Sequence, residues 1–183
     1  MTAIVWRVLE LIVPTVRLRD AWLASHHEWG AGVHEDGAGL RPEDEVESPD
    51  GFAAWVSRLI RQADPTEDPG PGWVHCTYRW IVEDGEVLGA IALRHELNDL
   101  LLRRGGHIGY GVRPSARRRG VATWALGEML GEARALGLDR VLITCLVANV
   151  ASARTIEHHG GLLEDVTDTE EGPLKRYWIA LDR

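Results

Sequence analysis

Apolar and polar positions change their period several times along this chain, and each change marks an element. Trp6 to Val13 reads as a first strand, stopped by Pro14. Leu18, Ala21, Trp22, Ser25 and Trp29 then follow helical spacing, and Gly30 ends that helix. Gly30 to Gly51 is polar, acidic and rich in glycine, which makes it a connection. Ser48-Pro49-Asp50 opens a second helix, with a capping hydroxyl followed by proline where no N–H is needed. Phe52, Trp55, Val56, Leu59 and Ile60 recur at i, i+3, i+4, i+7 and i+8, an amphipathic helix.

After the breaker-rich stretch from Asp64-Pro65 to Pro71-Gly72 the pattern turns to strands. Trp73 to Val82 and Glu86 to Leu93 are joined around Asp84-Gly85, a strong hairpin signal. His107 to Val112 is a third run, ended by Pro114. Val121 to Leu136 is a long helix with Gly137 as its stop. A strand (Val141 to Leu146) and a helix (Val150 to His159, ending at Gly160-Gly161) follow. Leu162 to Val166 and Tyr177 to Leu181 close the chain as strands around Glu171-Gly172-Pro173. This order predicts one mixed α/β domain over residues 1–183, with no internal repeat.

Composition sharpens the picture through its charge. The 183 residues are 45% apolar and 26% charged, an ordinary globular balance, with a net charge of −8. An acidic total argues against a general nucleic-acid or anionic-membrane binder. No uninterrupted apolar run approaches the ~20 residues that span a bilayer, and a signal peptide's basic start and cleavage site are missing, so a cytoplasmic protein is expected. Two cysteines, Cys76 and Cys145, do not make a disulfide framework. The charge is unevenly spread: residues 28–71 carry a local net of −8, and residues 103–140 a local net of +5. A basic island in an acidic chain points to a small anion.

The island contains Arg117-Arg118-Arg119-Gly120-Val121-Ala122, between a strand and the longest helix. The first N–H groups of a helix lack partners and carry the positive end of its dipole, so they bind phosphate. Gly120 lets a phosphate approach the backbone, and Ala122 keeps the helix start uncrowded. An ordinary basic helix start is the plain alternative, but arginines there oppose the dipole. Neither a Walker loop nor a dinucleotide fingerprint occurs.

Gly109-Tyr110-Gly111-Val112-Arg113-Pro114 with Arg117-x-x-Gly120-x-Ala122 resembles the central motif of the GNAT N-acetyltransferase superfamily, [QR]-x-x-G-x-[GA]. Asn149-x-x-Ser152, then Ile156-Glu157 and Gly160-Gly161, is similar to that superfamily's next helix. The likeness spans residues 74–181 well and the N-terminal part by order of elements, and is greatest to bacterial acetyltransferases of unassigned substrate. It implies a mostly antiparallel sheet flanked by helices and splayed between the strands at about 107–113 and 139–146. It implies acetyl-CoA as acyl donor, held by Tyr110, Gly111, Val112, Arg117, Arg118, Arg119, Gly120, Val121, Ala122, Thr123, Asn149 and Ser152. A backbone N–H near Val112 would polarise the thioester carbonyl.

The family's usual acid–base groups are not where the resemblance would put them. The tyrosine expected seven residues after the asparagine is Ile156, and the glutamate expected five before it is Thr144. His107 is the leading candidate base, because its intrinsic pKa suits proton uptake near neutrality; a strand histidine bonded to a carbonyl is the alternative. Tyr110 and Cys145 are candidates to protonate the leaving thiolate. The paired histidines lack ligand spacing, so no metal is expected. Eight tryptophans should mostly pack the core.

The function expected is direct acetyl transfer from acetyl-CoA to a primary amine, on a small molecule or a peptide N-terminus. The acidic 28–71 segment would favour a cationic acceptor. A homodimer is compatible with this reading. The competing reading is a CoA-binding sensor without turnover. A weaker one assigns Arg117–Arg119 to nucleic acid, but no aromatic platform accompanies them.

Overall fold

The computed structural model describes residues 8–30 and 32–181. Its elements run β1 (Leu9–Ile12), α1 (Arg19–Trp29), α2 (Pro49–Arg61), β2 (Cys76–Glu83), β3 (Glu86–Arg94), α3 (Asp99–Arg103), β4 (Ile108–Val112), α4 (Val121–Ala135), β5 (Arg140–Leu146), α5 (Val150–His158), β6 (Leu162–Thr169) and β7 (Gly172–Ala180). The first strand was expected from Trp6; Trp6 and Arg7 lie outside the described residues.

The predicted punctuation has structural causes. The Ser48 hydroxyl accepts the Gly51 N–H at 3.0 Å and starts α2. Asp84 (φ 51°) and Gly85 (φ 82°) both take positive φ, the twist a two-residue hairpin needs between β2 and β3. Two features escape the pattern. α3 is a five-residue helix capped by Asn98, too short to show a period. β7 begins at Gly172 rather than Tyr177, because Lys175 and Arg176 hide its alternation. Arg176 is neutralised within the sheet by Glu164 at 3.0 Å and Asp165 at 2.9 Å.

The strands form two antiparallel sheets, β1-β2-β3-β4 and β5-β7-β6. The expected splay is present: β4 and β5 are the facing edges and share no ladder. They touch where the His107 N–H donates to Leu142 O at 2.7 Å, and they separate beyond it.

α4 packs on the first sheet and α5 on the second, in one continuous core around Leu126, Met129, Ile143, Ile156 and Tyr177. α1 and α2 pack on the other face of the first sheet, where Trp22, Phe52, Trp55 and Trp80 make a buried aromatic cluster. Each side buries its apolar stripe against the sheet, so β4 is enclosed on both faces and open only along its edge toward β5. Both cysteines are buried and unpaired. Among the described residues no helix is long and apolar enough to cross a membrane, and no group of three or more potential metal ligands is found.

Candidate active site

The site grows from the open edge of β4. Arg113 N–H donates to Leu88 O on β3 at 2.8 Å. Main-chain groups of an antiparallel strand alternate in direction, so those of Gly111 turn to β3 and those of Tyr110 and Val112 turn into the gap before β5. That gap therefore presents strand donors and acceptors that no ladder takes up, with Val112 O satisfied instead by the Arg117 side chain.

Beyond β4 the chain turns into α4. Gly120 sits at the helix start with φ 78°, and Arg118 takes φ 61°, unusual for a residue with a side chain. No side chain caps α4, and its first turn contains no acid. A Cβ at Gly120 would find no atom within 4 Å, so the turn is open. The three arginines are unequal. Arg117 Nε donates to Val112 O at 2.9 Å, and its guanidinium lies 5.1 Å from the Trp29 ring centroid. Arg119 pairs with Glu83 at 2.5 Å. Arg118 is exposed. From Gly120 and Thr123 a groove of about 630 Å³ runs between α4 and α5, past Trp124, Arg154 and His158.

Three sequence candidates from three elements meet inside the gap. The Tyr110 hydroxyl of β4 is 2.9 Å from Ser152 Oγ of α5. The Cys145 thiol of β5 hydrogen-bonds the same serine. Burial pushes the Tyr110 phenol up to about 12, against the Ser152 hydrogen bond that lowers it; burial raises the Cys145 thiol as well. Both stay protonated near neutrality and can act only as donors. Asn149 caps α5, its Oδ1 accepting the Ser152 N–H at 3.1 Å, which fixes Ser152 below Tyr110.

His107 departs from its expected role. Its Nδ1 accepts the Leu142 N–H at 2.9 Å, so the proton resides on Nε2. Burial, with help from Arg94 and Arg140, drives the imidazole down to about 4. A ring whose lone pair is occupied and whose basicity is that low does not take a proton from an amine. It stitches β4 to β5 at the root of the splay, and the expectation of a His107 base is corrected accordingly.

The opposite face of β4 is covered by Trp29 of α1, which helical spacing singled out, and by loop residues that have no period. Trp29 lies on Gly111: a Cβ there would be 2.8 Å from Trp29 Cη2 and 2.9 Å from Asp36 O. A Cβ on Gly37 would be 2.6 Å from Gly109 O and 2.7 Å from Ala90 O. The loop after α1 thus lies flat on β4 because Gly37 and Gly111 present no side chain to keep it away. Glu28 anchors the end of α1 to the turn before α4, accepting from Ser115 N at 3.1 Å and Ser115 Oγ at 3.0 Å. Burial alone would raise the Glu28 carboxyl; the Ser115 bonds and Arg113 outweigh it and hold it low. At the loop's outer edge His34 pairs with Asp36 at 3.2 Å, and Glu171 of the β6–β7 turn adds to the negative field there. A tandem of glycines in the loop was the one sequence signal for this close approach.

The "Acetyltransferase (GNAT) domain" family matches residues 31–161. No curated protein matches the chain. Solved structures agree in fold at low identity. An N-acetyltransferase from Staphylococcus aureus Mu50 is 18% identical, with a TM-score of 0.65 over 96% of this chain and 99% of that one. The Salmonella typhimurium enzyme that modifies the N-terminal serine of ribosomal protein L7/L12 is 17% identical, with a TM-score of 0.67 over 95% of each chain. The microcin C7 self-immunity acetyltransferase, solved with acetyl-CoA and AMP, is 15% identical, with a TM-score of 0.64 over 94% of this chain and 92% of that one. With a family match over most of its length and a splayed β4–β5 edge running into an uncapped α4, the chain belongs to the GNAT acetyltransferase family.

Proposed function

We propose that this acetyltransferase moves the acetyl group of acetyl-CoA onto a primary amine, of a small molecule or a peptide N-terminus, in a ternary complex. The observation that carries the reading is the start of α4, uncapped, free of acids in its first turn and open at Gly120. These features fit a pyrophosphate: the N–H groups from Arg118 to Thr123 would hold it, with Arg118 free to add charge. The groove past Arg154 and His158 gives room for the nucleotide end. The edge of β4 from Tyr110 through Gly111 to Val112 would lie along pantetheine, with the main-chain groups of Tyr110 facing its amides and the Val112 N–H facing the developing oxyanion. Acetyl-CoA supplies the thioester-activated acetyl group. Tyr110, hydrogen-bonded to Ser152 and protonated at neutral pH, is the donor for the leaving thiolate.

The acceptor we infer is cationic. The 28–71 segment carries a local net of −8 and its Asp36 lies against Gly111 of β4, while Glu171 of the β6–β7 turn, paired with Arg104 at 3.1 Å, adds to the negative field at His34. A net-negative segment beside β4 favours a positive group there.

Isothermal titration with acetyl-CoA, paired with free-thiol release on addition of amines, tests the proposal. Binding followed by turnover with cationic amines is expected. Binding without turnover across a broad amine panel would favour the sensor reading, and lack of binding would refute both.

A further inference from the structure

Amine acetylation leaves one group unassigned: the base that accepts the acceptor's proton. With His107 committed to Leu142, and Thr144 and Ile156 unable to titrate, the base must come from elsewhere. We propose that His26, oriented by Glu35, takes the proton of the acceptor amine. This rests on amine transfer as the reaction.

Placement is the first argument. Trp22, His26 and Trp29 fall at i, i+4 and i+7 on α1, one face of the helix. Trp22 is buried in the aromatic core and stacks on the His26 ring at 4.8 Å, with 14° between planes. Trp29, about 4.5 Å further along the axis, lies on Gly111 of β4. The imidazole thus sits between the core and the residue covering the strand whose edge would hold the acetyl group.

Chemistry is the second. His26 Nδ1 hydrogen-bonds Glu35 Oε1. Glu35 is 8% exposed, and a buried carboxylate is retained only where it is paired. Burial raises the Glu35 carboxyl, against the pull of His26 and then of His34. Asp36 and Gly37, the next two residues, are those that touch Gly111 and Gly109, so the carboxylate and its imidazole are tied to the β4 contact through one short stretch of backbone. With Nδ1 facing Glu35, the lone pair of the neutral ring is on Nε2. Nε2 makes no hydrogen bond among the described residues, and the side chain is 29% exposed. A carboxylate that fixes the tautomer and stabilises the imidazolium is the arrangement a histidine base needs. The other charged and titratable groups around the pair are His27 beside it on α1, Glu47 with its neighbour Arg19, and the His34–Asp36 pair on the loop.

The step balances. The ammonium form of the acceptor gives one proton to His26 Nε2, which passes it to water. The nitrogen lone pair forms the C–N bond at the acetyl carbon, and the C–S bond breaks with its electrons staying on sulfur. The second nitrogen proton passes to His26 Nε2, vacant again by then, and on to water as the amide forms, and the thiolate is protonated from Tyr110, which is re-protonated by solvent.

The test compares wild type, His26→Gln and Glu35→Gln, with acetyl-CoA and three amine probes: spermidine, lysinamide and a seryl-lysine amide. Thiol release is followed from about pH 6 to about pH 10, where primary amines lose their proton unaided. Near pH 7, His26→Gln should lower kcat/KM by about 100-fold, with the KM for acetyl-CoA within about twofold. That deficit should shrink below about tenfold as the pH nears the amine's own pKa, because a neutral amine no longer needs a base. Glu35→Gln should show the same recovery with a smaller deficit, and it decides the matter alone if His26→Gln does not fold. A deficit constant across pH would mean a structural clasp, and no deficit would mean no role; either overturns the assignment while amine transfer stands. A wild type that binds acetyl-CoA yet acetylates none of the probes overturns the amine reading, and the base with it.

Discussion

His107 Nδ1 accepts the Leu142 N–H where the start of β4 is joined to β5 before the two strands diverge. The neutral ring is required there, because a protonated Nδ1 would face an N–H donor. The folded pKa, near 4, is below the free value of 6.5. The unfolded chain therefore binds this proton first on acidification. Stability from the neutral ring is full above about pH 6.5 and is lost as pH falls from there toward 4. His107→Gln should flatten the slope of Tm against pH in that window, measured by thermal denaturation; an unchanged slope would contradict the assignment.

Gly120→Glu and Gly120→Ala separate charge from backbone strain at the start of α4. Both place a side chain at φ 78°, which costs about 1 kcal/mol of stability. Only glutamate puts a negative charge on the helix end proposed for phosphate. Acetyl-CoA affinity by titration calorimetry should fall more than about tenfold further in the glutamate variant than in the alanine one.

Tyr110→Phe keeps the ring in the gap and removes the hydroxyl bonded to Ser152. Turnover should fall by about 100-fold while acetyl-CoA binding is retained, the signature of a lost proton donor. Ser152→Ala should have a smaller effect in the same direction. Equal rates for wild type and Tyr110→Phe would remove Tyr110 from the reaction.

Gly111→Ala would force a methyl group to 2.8 Å from Trp29 Cη2 and 2.9 Å from Asp36 O. The loop must lift or the strand must shift, at a cost of about 1–3 kcal/mol in urea denaturation. Acceptor KM should rise more than that for acetyl-CoA, since the displaced groups lie on the face opposite α4 and α5.

Salt should weaken the use of cationic amines. The 28–71 segment is net negative and its Asp36 is exposed, so kcat/KM for spermidine should fall between low and physiological ionic strength. The value for an uncharged-side-chain amine such as glycinamide should change less.

Much of this molecule was legible from its residues in order. Period 3.6 in Phe52 to Ile60, period 2 around Asp84-Gly85, and the glycine and proline stops located most elements, because they encode local burial and local backbone preference. The phosphate-loop candidate was legible for the same reason: Gly120 at a strand-to-helix turn acts through its immediate neighbours. The partners of each functional side chain were not legible. Tyr110 and Ser152 are 42 residues apart, and no local pattern says that a β4 phenol reaches α5. The loop joining α1 to α2 has no period, and it lies on β4 because glycines on both surfaces permit the contact. His107 carried the chemistry of a base in the sequence, and only its neighbour across the splay turned it into a stitch. Composition and periodicity determined which elements form and where an anion could bind. Tertiary packing decided which donors are spent within the fold and which face the gap, because hydrogen bonds between distant segments depend on how surfaces meet.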